Sequence, residues 1–420
     1  MNNKSSVIFI SFLLFWLLLA PTSAIIPDPT INGWIKNAIS LFLIWYVRQD
    51  IAMMFNQEFR IYNILLLTYC AISIFSIYYN ADTISNYSGT YITQDGEIEL
   101  EGVTSVKSTL YSCIGLLTAS LYVQRISGMT DMIVFLKTFY VLLLLVIIPT
   151  NIEAFTKPAE MGTMAQYLIG NKFTVGYYNL YLCAFYYFLH PYLDFQRNRF
   201  ILFSIIIMML IVSIYIQCGT MVLASLVFMF FALFAPYKFR INISSAKLIV
   251  VTLIVLGIGF FMFVSWILQY ESFQFIINLL NKDITLTGRV GIFASIQQAF
   301  NISPWVGLGY GNSIIISYYF TGALNSQNGI IDLFIQVGFL GVFTFIALIY
   351  TCSKEVEQNR ELRYPLVAFL ITMIVISMVE IPFKHIFIFF LSFCFIEDEA
   401  YNEDEDEDEI NEENIVLADE

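Results

Sequence analysis

The sequence predicts an all-α, polytopic integral membrane protein with about twelve transmembrane helices and one large external loop. Three observations carry that prediction. The 420-residue chain is 58% hydrophobic and only 13% charged, and much of the charge is packed into its last two dozen residues. Apolar runs, most of them 16 to 21 residues long, recur along nearly its whole length. At 1.5 Å per helical residue, such runs cross a hydrocarbon core of roughly 30 Å. Lastly, the basic residues fall mainly in alternate loops.

In chain order the expected spans are 7–26, 33–47, 61–79, 108–124, 132–149, 173–190, 200–217, 219–236, 248–268, 330–350, 364–379 and 383–396, the second and last being the shortest. A lipid-exposed backbone must satisfy its own hydrogen bonds, and these runs lack the alternation of barrel strands, so each is read as a helix. The organisation follows: nine spans in 1–268, an external (periplasmic or extracellular) loop at 269–329, three spans in 330–396 and an acidic tail at 397–420. Pro21-Thr22-Ser23-Ala24 after the first span also admits a cleaved signal peptide. Cleavage would leave the remaining topology unchanged.

Arg48, Arg60, Arg125, Arg197, Arg199, Lys238, Arg240, Lys247, Lys354, Arg360 and Arg363 occupy alternate loops, which with Lys4 are expected to be cytoplasmic. The opposite loops hold Lys107, Lys157, Lys172, Lys282, Arg289 and Lys384, while Lys36 and Lys137 lie within or at the edge of spans. Both termini are therefore expected in the cytoplasm, with the chain in a bacterial inner membrane.

The six cysteines sit in spans or near their ends, which argues against a disulfide framework or a zinc site. The net charge of −13 comes largely from Glu397 to Glu420. That segment reads as a solvated low-complexity extension. No nucleic-acid partner, metal or cofactor is expected. Asp-x-Asp spacing, which many soluble glycosyltransferases use to hold a metal, occurs only in this tail.

Function is expected at the outer face, where segments near 80–107, 150–172 and 269–329 are longest. A loop of about sixty residues is rare unless functional. Within it, Thr287-Gly288-Arg289 precedes Ile292, Phe293, Ile296, Ala299 and Phe300 at helical spacing, and Asn301 and Pro304 stop the run. This predicts a helix along the membrane surface, with Thr287 as its N-cap and Arg289 in its first turn, where free N–H groups favour an anion. Arginine adds a bidentate fork for phosphate oxygens, and an interfacial anchor to lipid headgroups is the alternative reading. Gly307-Leu308-Gly309-Tyr310-Gly311-Asn312 resembles a nucleotide loop only superficially, and reads instead as a tight turn with close backbone approach. Asn328, Asp332 and Gln336 are spaced to line one face of the tenth span, either toward a cavity or as a structural polar seam. Trp305, Tyr310, Tyr318 and Tyr319 are candidate sugar platforms, although most of the 40 Phe and 26 Tyr are explained by lipid contact and interface belts.

Taken in order, Thr-Gly-Arg before a short helix, then Pro-Trp-Val-Gly-Leu-Gly-Tyr-Gly-Asn, then Gln-Asn-Gly-Ile-Ile-Asp-Leu-Phe-Ile-Gln-Val-Gly-Phe-Leu-Gly, resemble the bacterial O-antigen polymerase and ligase superfamily. Residues 285–345 carry the likeness, and Gly170-Asn171-Lys172-Phe173-Thr174-Val175-Gly176 is similar as well. The resemblance implies metal-independent transfer of an undecaprenyl-diphosphate-linked glycan at the outer face, where a polymerase takes the next lipid-linked repeat as acceptor. It implies that Arg289 engages the donor diphosphate and that Lys172 matches a second basic residue. Thr287, Gly309, Gly311, Asn312, Gln327 and Asn328 are the further candidate substrate-binding residues.

Two departures stand against a ligase. Gln327 occupies the place where ligases carry the histidine proposed as base, and glutamine cannot accept that proton. Cys218-Gly219-Thr220 stands where many relatives have Ser-Arg-Thr. The remaining external base candidates are Asp332, Glu380 and His385, with interface packing as the other reading of His385. His190, beside Pro191, reads as a helix terminator. A polysaccharide polymerase is thus expected, working beside a flippase and a chain-length regulator of the same pathway. The alternatives are an O-antigen ligase, or a flippase or exporter, which predicts mid-span charges and related halves. A scaffold acting through the tail is a third.

Overall fold

The computed structural model describes residues 3–20, 25, 26, 28–93, 96–100, 105–127, 129–157, 166–189, 195–234, 245–259, 262, 289–358 and 363–395. The acidic tail, His190 and residues 263–288, Thr287 among them, lie outside these.

Among the described residues the fold is all-α apart from two short hairpins. In order the elements are α1 (Asn3–Leu18), α2 (Pro29–Tyr46), a 3₁₀ segment (Arg48–Phe55), α3 (Arg60–Tyr79), α4 (Ala81–Ser85), the hairpin β1 (Gly89–Thr93) and β2 (Gly96–Leu100), α5 (Val106–Arg125) and α6 (Met129–Thr156). The second hairpin, β3 (Gln166–Tyr167) and β4 (Gly170–Asn171), leads into α7 (Lys172–Leu189) and α8 (Phe195–Tyr215). Next come α9 (Gly219–Met229) and α10 (Ala246–Ile254), each running on into a π-turn, at Phe230–Phe234 and Val255–Gly259. The last described elements are α11 (Arg289–Phe300), α12 (Ser313–Thr321), α13 (Gly329–Gln358), α14 (Arg363–Ile376) and α15 (His385–Leu391), which continues as a 3₁₀ turn at Ser392–Phe395.

Each expected span overlaps a helix among these, although parts of several spans, residues 263–268 of the ninth among them, lie outside the described residues. Four of them, α3, α5, α6 and α13, are long and apolar enough to cross a membrane, while α1, α8, α14, α15 and the two helices with π-turns are apolar but shorter. Large apolar side chains such as Phe343 (74% exposed) and Phe200 (73%) stand on the outside of the bundle. A water-soluble surface would not carry such residues in bulk, and a lipid-facing one does.

Helix starts follow local chemistry. Asp28 Oδ1 accepts the N–H groups of Thr30 (2.8 Å) and Ile31 (3.2 Å), with Pro29 at the first position of α2. Ser105 caps α5 by accepting from Ser108 N, and Asn171 caps α7 by accepting from Phe173 and Thr174 N. The core is aromatic: Phe139, Phe185, Phe389 and Phe390 stack between α6, α7 and α15. Helix α13 lies along α3 and contacts α10 and α14, which makes it the central element.

Candidate functional site

Helix α13 does not run unbroken through its expected span. Gly338 has φ 63° and ψ −167° and interrupts it. Into this break fits the turn from Pro304 to Gly311. Leu308 N donates to Ile335 O (2.6 Å), Gly309 N to Gln336 O (3.1 Å), Phe339 N to Pro304 O (2.8 Å) and Leu340 N to Trp305 O (3.0 Å). The turn thereby satisfies backbone groups that the broken helix releases. Gly307 (φ +73°) permits the approach, since a Cβ there would lie 2.4 Å from the Gln336 carbonyl carbon. The run is the tight turn that its glycines predict.

Helix α3 anchors the same turn from the other side. Asn80 Nδ2 donates to Gly307 O (2.7 Å), and Ser76 Oγ donates to Gln336 O (2.7 Å). Tyr87, just past α4, packs its ring on Tyr319 of α12 at 4.6 Å. Thus two segments assigned to the outer side from sequence, near 80–107 and within 269–329, meet in space.

The apolar stripe of α11 faces protein. Phe293, Ile296 and Ala299 are buried with Leu308, Ile316, Ile331 and Ile335 of the turn, α12 and α13. The surface helix is therefore seated on the bundle by that stripe. Arg289 takes its first position, with Thr287 and Gly288 outside the described residues. Helix α12 was not expected. Its signals are the Ile314-Ile315-Ile316 run, Asn312 before it and Gly322 (φ +69°) after it.

The polar face of α13 is internally satisfied in part. Asn328 is fully buried and caps the helix, accepting from Ile330 and Ile331 N (3.0 Å each) while its Nδ2 donates to Gly257 O (3.0 Å). Its amide is committed to structure. Gln336 Nε2 donates to Asp332 Oδ2 (2.5 Å), and its Oε1 accepts from Gly311 N (2.8 Å). Asp332 is 2% exposed, with the Ser313 and Ser326 hydroxyls beside it. Its Oδ1 has no hydrogen bond of normal geometry among the described residues. Gln327, beside Asn328, holds a left-handed backbone at φ 56°, a conformation that disfavours a side chain with Cβ.

At the bend between α14 and α15, Glu380 is 7% exposed and close to Tyr177 of α7. His385 opens α15, and its Nε2 lies 2.9 Å from Tyr310 Oη of the glycine-rich turn. Burial holds the Tyr310 phenol well above its usual pKa, so it meets the imidazole as a neutral hydroxyl. Tyr310, a candidate sugar platform by sequence, is here a hydrogen-bond partner of His385. Trp305 is 66% exposed and rests on Phe339 at 5.9 Å.

Among the base candidates, His385 lines a cleft formed by described residues. The cleft measures about 270 Å³ and lies between α1, α2, α5 and α15, with Lys36, Tyr111 and Ser112 in its wall. Sequence reasoning left Lys36 without a role. Its signal was an ammonium one turn into a largely apolar expected span. Lys172 lies over the ring of Phe173 (5.8 Å), and no hydrogen bond or ion pair among the described residues joins it to Tyr310, Asp332 or His385.

The structure thus brings Gly309, Gly311, Asn312, Gln336, Asp332, Tyr310 and His385 into one polar knot, with Arg289 at the start of a helix packed on it. No protein-family model matches the chain, and no curated protein matches it.

Proposed function

We propose that the protein is a membrane glycosyltransferase, a polysaccharide polymerase that joins undecaprenyl-diphosphate-linked repeats at the outer face of a bacterial inner membrane. Twelve helices cross the bilayer, with both termini in the cytoplasm. The observation that carries the reading is the junction of the glycine-rich turn with the polar start of α13, two segments bearing the resemblance to the O-antigen polymerase and ligase superfamily, to which His385 is joined through Tyr310. In this reading the knot and the start of α11 lie at the outer surface.

Arg289 holds the donor diphosphate, with the free N–H groups of its helix start adding to the positive field. Each charge-assisted hydrogen bond contributes roughly 1.5–3 kcal/mol, so Arg289 orients the diphosphate and further contacts bind it. The acceptor hydroxyl attacks the anomeric carbon from the face opposite the diphosphate. The bond from that carbon to the diphosphate oxygen breaks, the lipid diphosphate leaves with the electron pair, and the configuration inverts. Fixed cations stabilise the departing charge. The acceptor proton passes to a base, and His385 is favoured because it lines the cleft, whereas Asp332 and Glu380 are only 2% and 7% exposed.

Deleting the gene and running the surface polysaccharide on a gel tests this. A polymerase gives single-repeat glycan, and complementation by Arg289→Ala leaves that phenotype uncorrected. Intact lipid-linked chains that are never attached would mark a ligase. Repeats stranded in the cytoplasmic leaflet would mark a flippase.

A further inference from the structure

We propose that the cleft between α1, α2, α5 and α15 is a binding subsite for a single phosphate-bearing sugar, with Lys36 as its cation. The wall presents one ammonium (Lys36), one imidazole (His385), the hydroxyls of Ser108, Ser112 and Tyr111, and the amide of Asn37. Leu17 and Leu18 supply an apolar side, and Gly33, where an added Cβ would meet nothing within 4 Å, leaves it open. Hydroxyl and amide groups over a small apolar floor suit a sugar ring, and the ammonium suits an anion attached to it.

Charge balance points the same way. The wall holds no carboxylate, and neither ion pair among the described residues involves Lys36. A partly buried ammonium without a counter-ion is costly in a membrane protein, and an incoming phosphate relieves that cost. A second ammonium, Lys107, stands next to Ser108 and lies over the Trp34 ring at 5.6 Å. Lys384 precedes His385 in the chain. The volume of about 270 Å³ is at the lower bound for small-molecule sites, so it takes one sugar and its phosphate but not a whole repeat.

The subsite touches the polar knot directly. His385 lines the cleft and is hydrogen-bonded to Tyr310 of the glycine-rich turn. A sugar seated against Lys36 therefore lies one side chain from the residues bearing the transfer reading. That the phosphate belongs to a lipid-linked acceptor rests on that reading. The anion selectivity of the cleft does not.

The test places a reporter in the wall. All six native cysteines are buried, so Ser112→Cys in the full-length protein in nanodiscs gives a site-specific target for a water-soluble maleimide. The probes are glucose 1-phosphate, undecaprenyl-diphosphate-linked glucose and glucose. Glucose 1-phosphate, the lipid-linked glucose or both slow labelling roughly tenfold at about ten times the Kd, following 1 + [L]/Kd, and glucose does not. Protection by the free sugar phosphate or by the lipid identifies the source. Adding Lys36→Gln removes the protection, Lys36→Arg retains it, and unchanged labelling without ligand shows that both variants fold. No protection by either phosphate-bearing probe, protection by glucose alone, protection that survives Lys36→Gln, or no labelling of Ser112→Cys overturns the proposal. The assay requires no polymer, so loss of the polymerase reading on the gel and loss of this subsite are separate outcomes.

Discussion

At the scale of single residues, Gly307 and Gly338 carry the junction. The two positive-φ glycines face each other: a Cβ on Gly338 would lie 2.5 Å from Gly307 N, and one on Gly307 would lie 2.4 Å from Val337 N. Both neighbours are backbone and cannot rotate away. Gly307→Ala is therefore expected to lower stability by about 1–3 kcal/mol through overpacking and strain, and to abolish the proposed glycan transfer by displacing Tyr310 from His385. Gly322 (φ +69°) is the control, because a Cβ added there would meet nothing within 4 Å. Gly322→Ala bears only the conformational cost of about 1–2 kcal/mol. Thermal unfolding of the purified variants measures the difference. Equal losses would show that the close approach is not what restricts Gly307.

At the scale of elements, reciprocal amide pairs join neighbouring helices. Asn63 of α3 and Gln124 of α5 exchange two hydrogen bonds of 3.0 Å, and Asn151 of α6 and Asn179 of α7 do the same. Hydrogen bonds between helices in a bilayer average about 0.6 kcal/mol, because the separated helices also find partners. Yet Asn179→Ala also leaves the Asn151 amide buried with less satisfaction, which raises the expected loss to about 1–2 kcal/mol. A double-mutant cycle on Asn151 and Asn179, read by unfolding in mixed micelles, checks this. Additive losses would mean that the pair contributes nothing as a pair.

At the scale of the whole molecule, the two ends of the bundle differ in chemistry. One end holds the knot and the cleft. Another part of the chain sets Arg125 against Asp50 at 2.9 Å, with its guanidinium over Tyr46 at 5.2 Å. An ion pair that exposed contributes little to stability, but its basic residue marks the cytoplasmic side in the proposed topology. Trp305→Cys, at an exposed position, is expected to react with an impermeant maleimide in intact spheroplasts. Ile51→Cys, 41% exposed beside Asp50, is expected to react only after permeabilisation. The reverse pattern would invert the topology and remove the transfer proposal with it.

The positions of the helices were legible in the sequence because long apolar runs leave a chain in lipid no other backbone solution. The tight turn at Gly307 to Gly311 and the helix beginning at Arg289 were legible for local reasons too, in glycine content and helical spacing. What local pattern does not record is which polar residues meet. Asn328, Asp332 and Gln336 share a face by spacing, but only packing makes Asn328 a cap tied to Gly257 and leaves Asp332 sealed from solvent. Tyr310 and His385 are 75 residues apart, and Lys36 shares a wall with His385 across a still longer stretch of chain. Their meeting depends on how α2, α5 and α15 pack, and side-chain complementarity between distant segments leaves no period in the sequence.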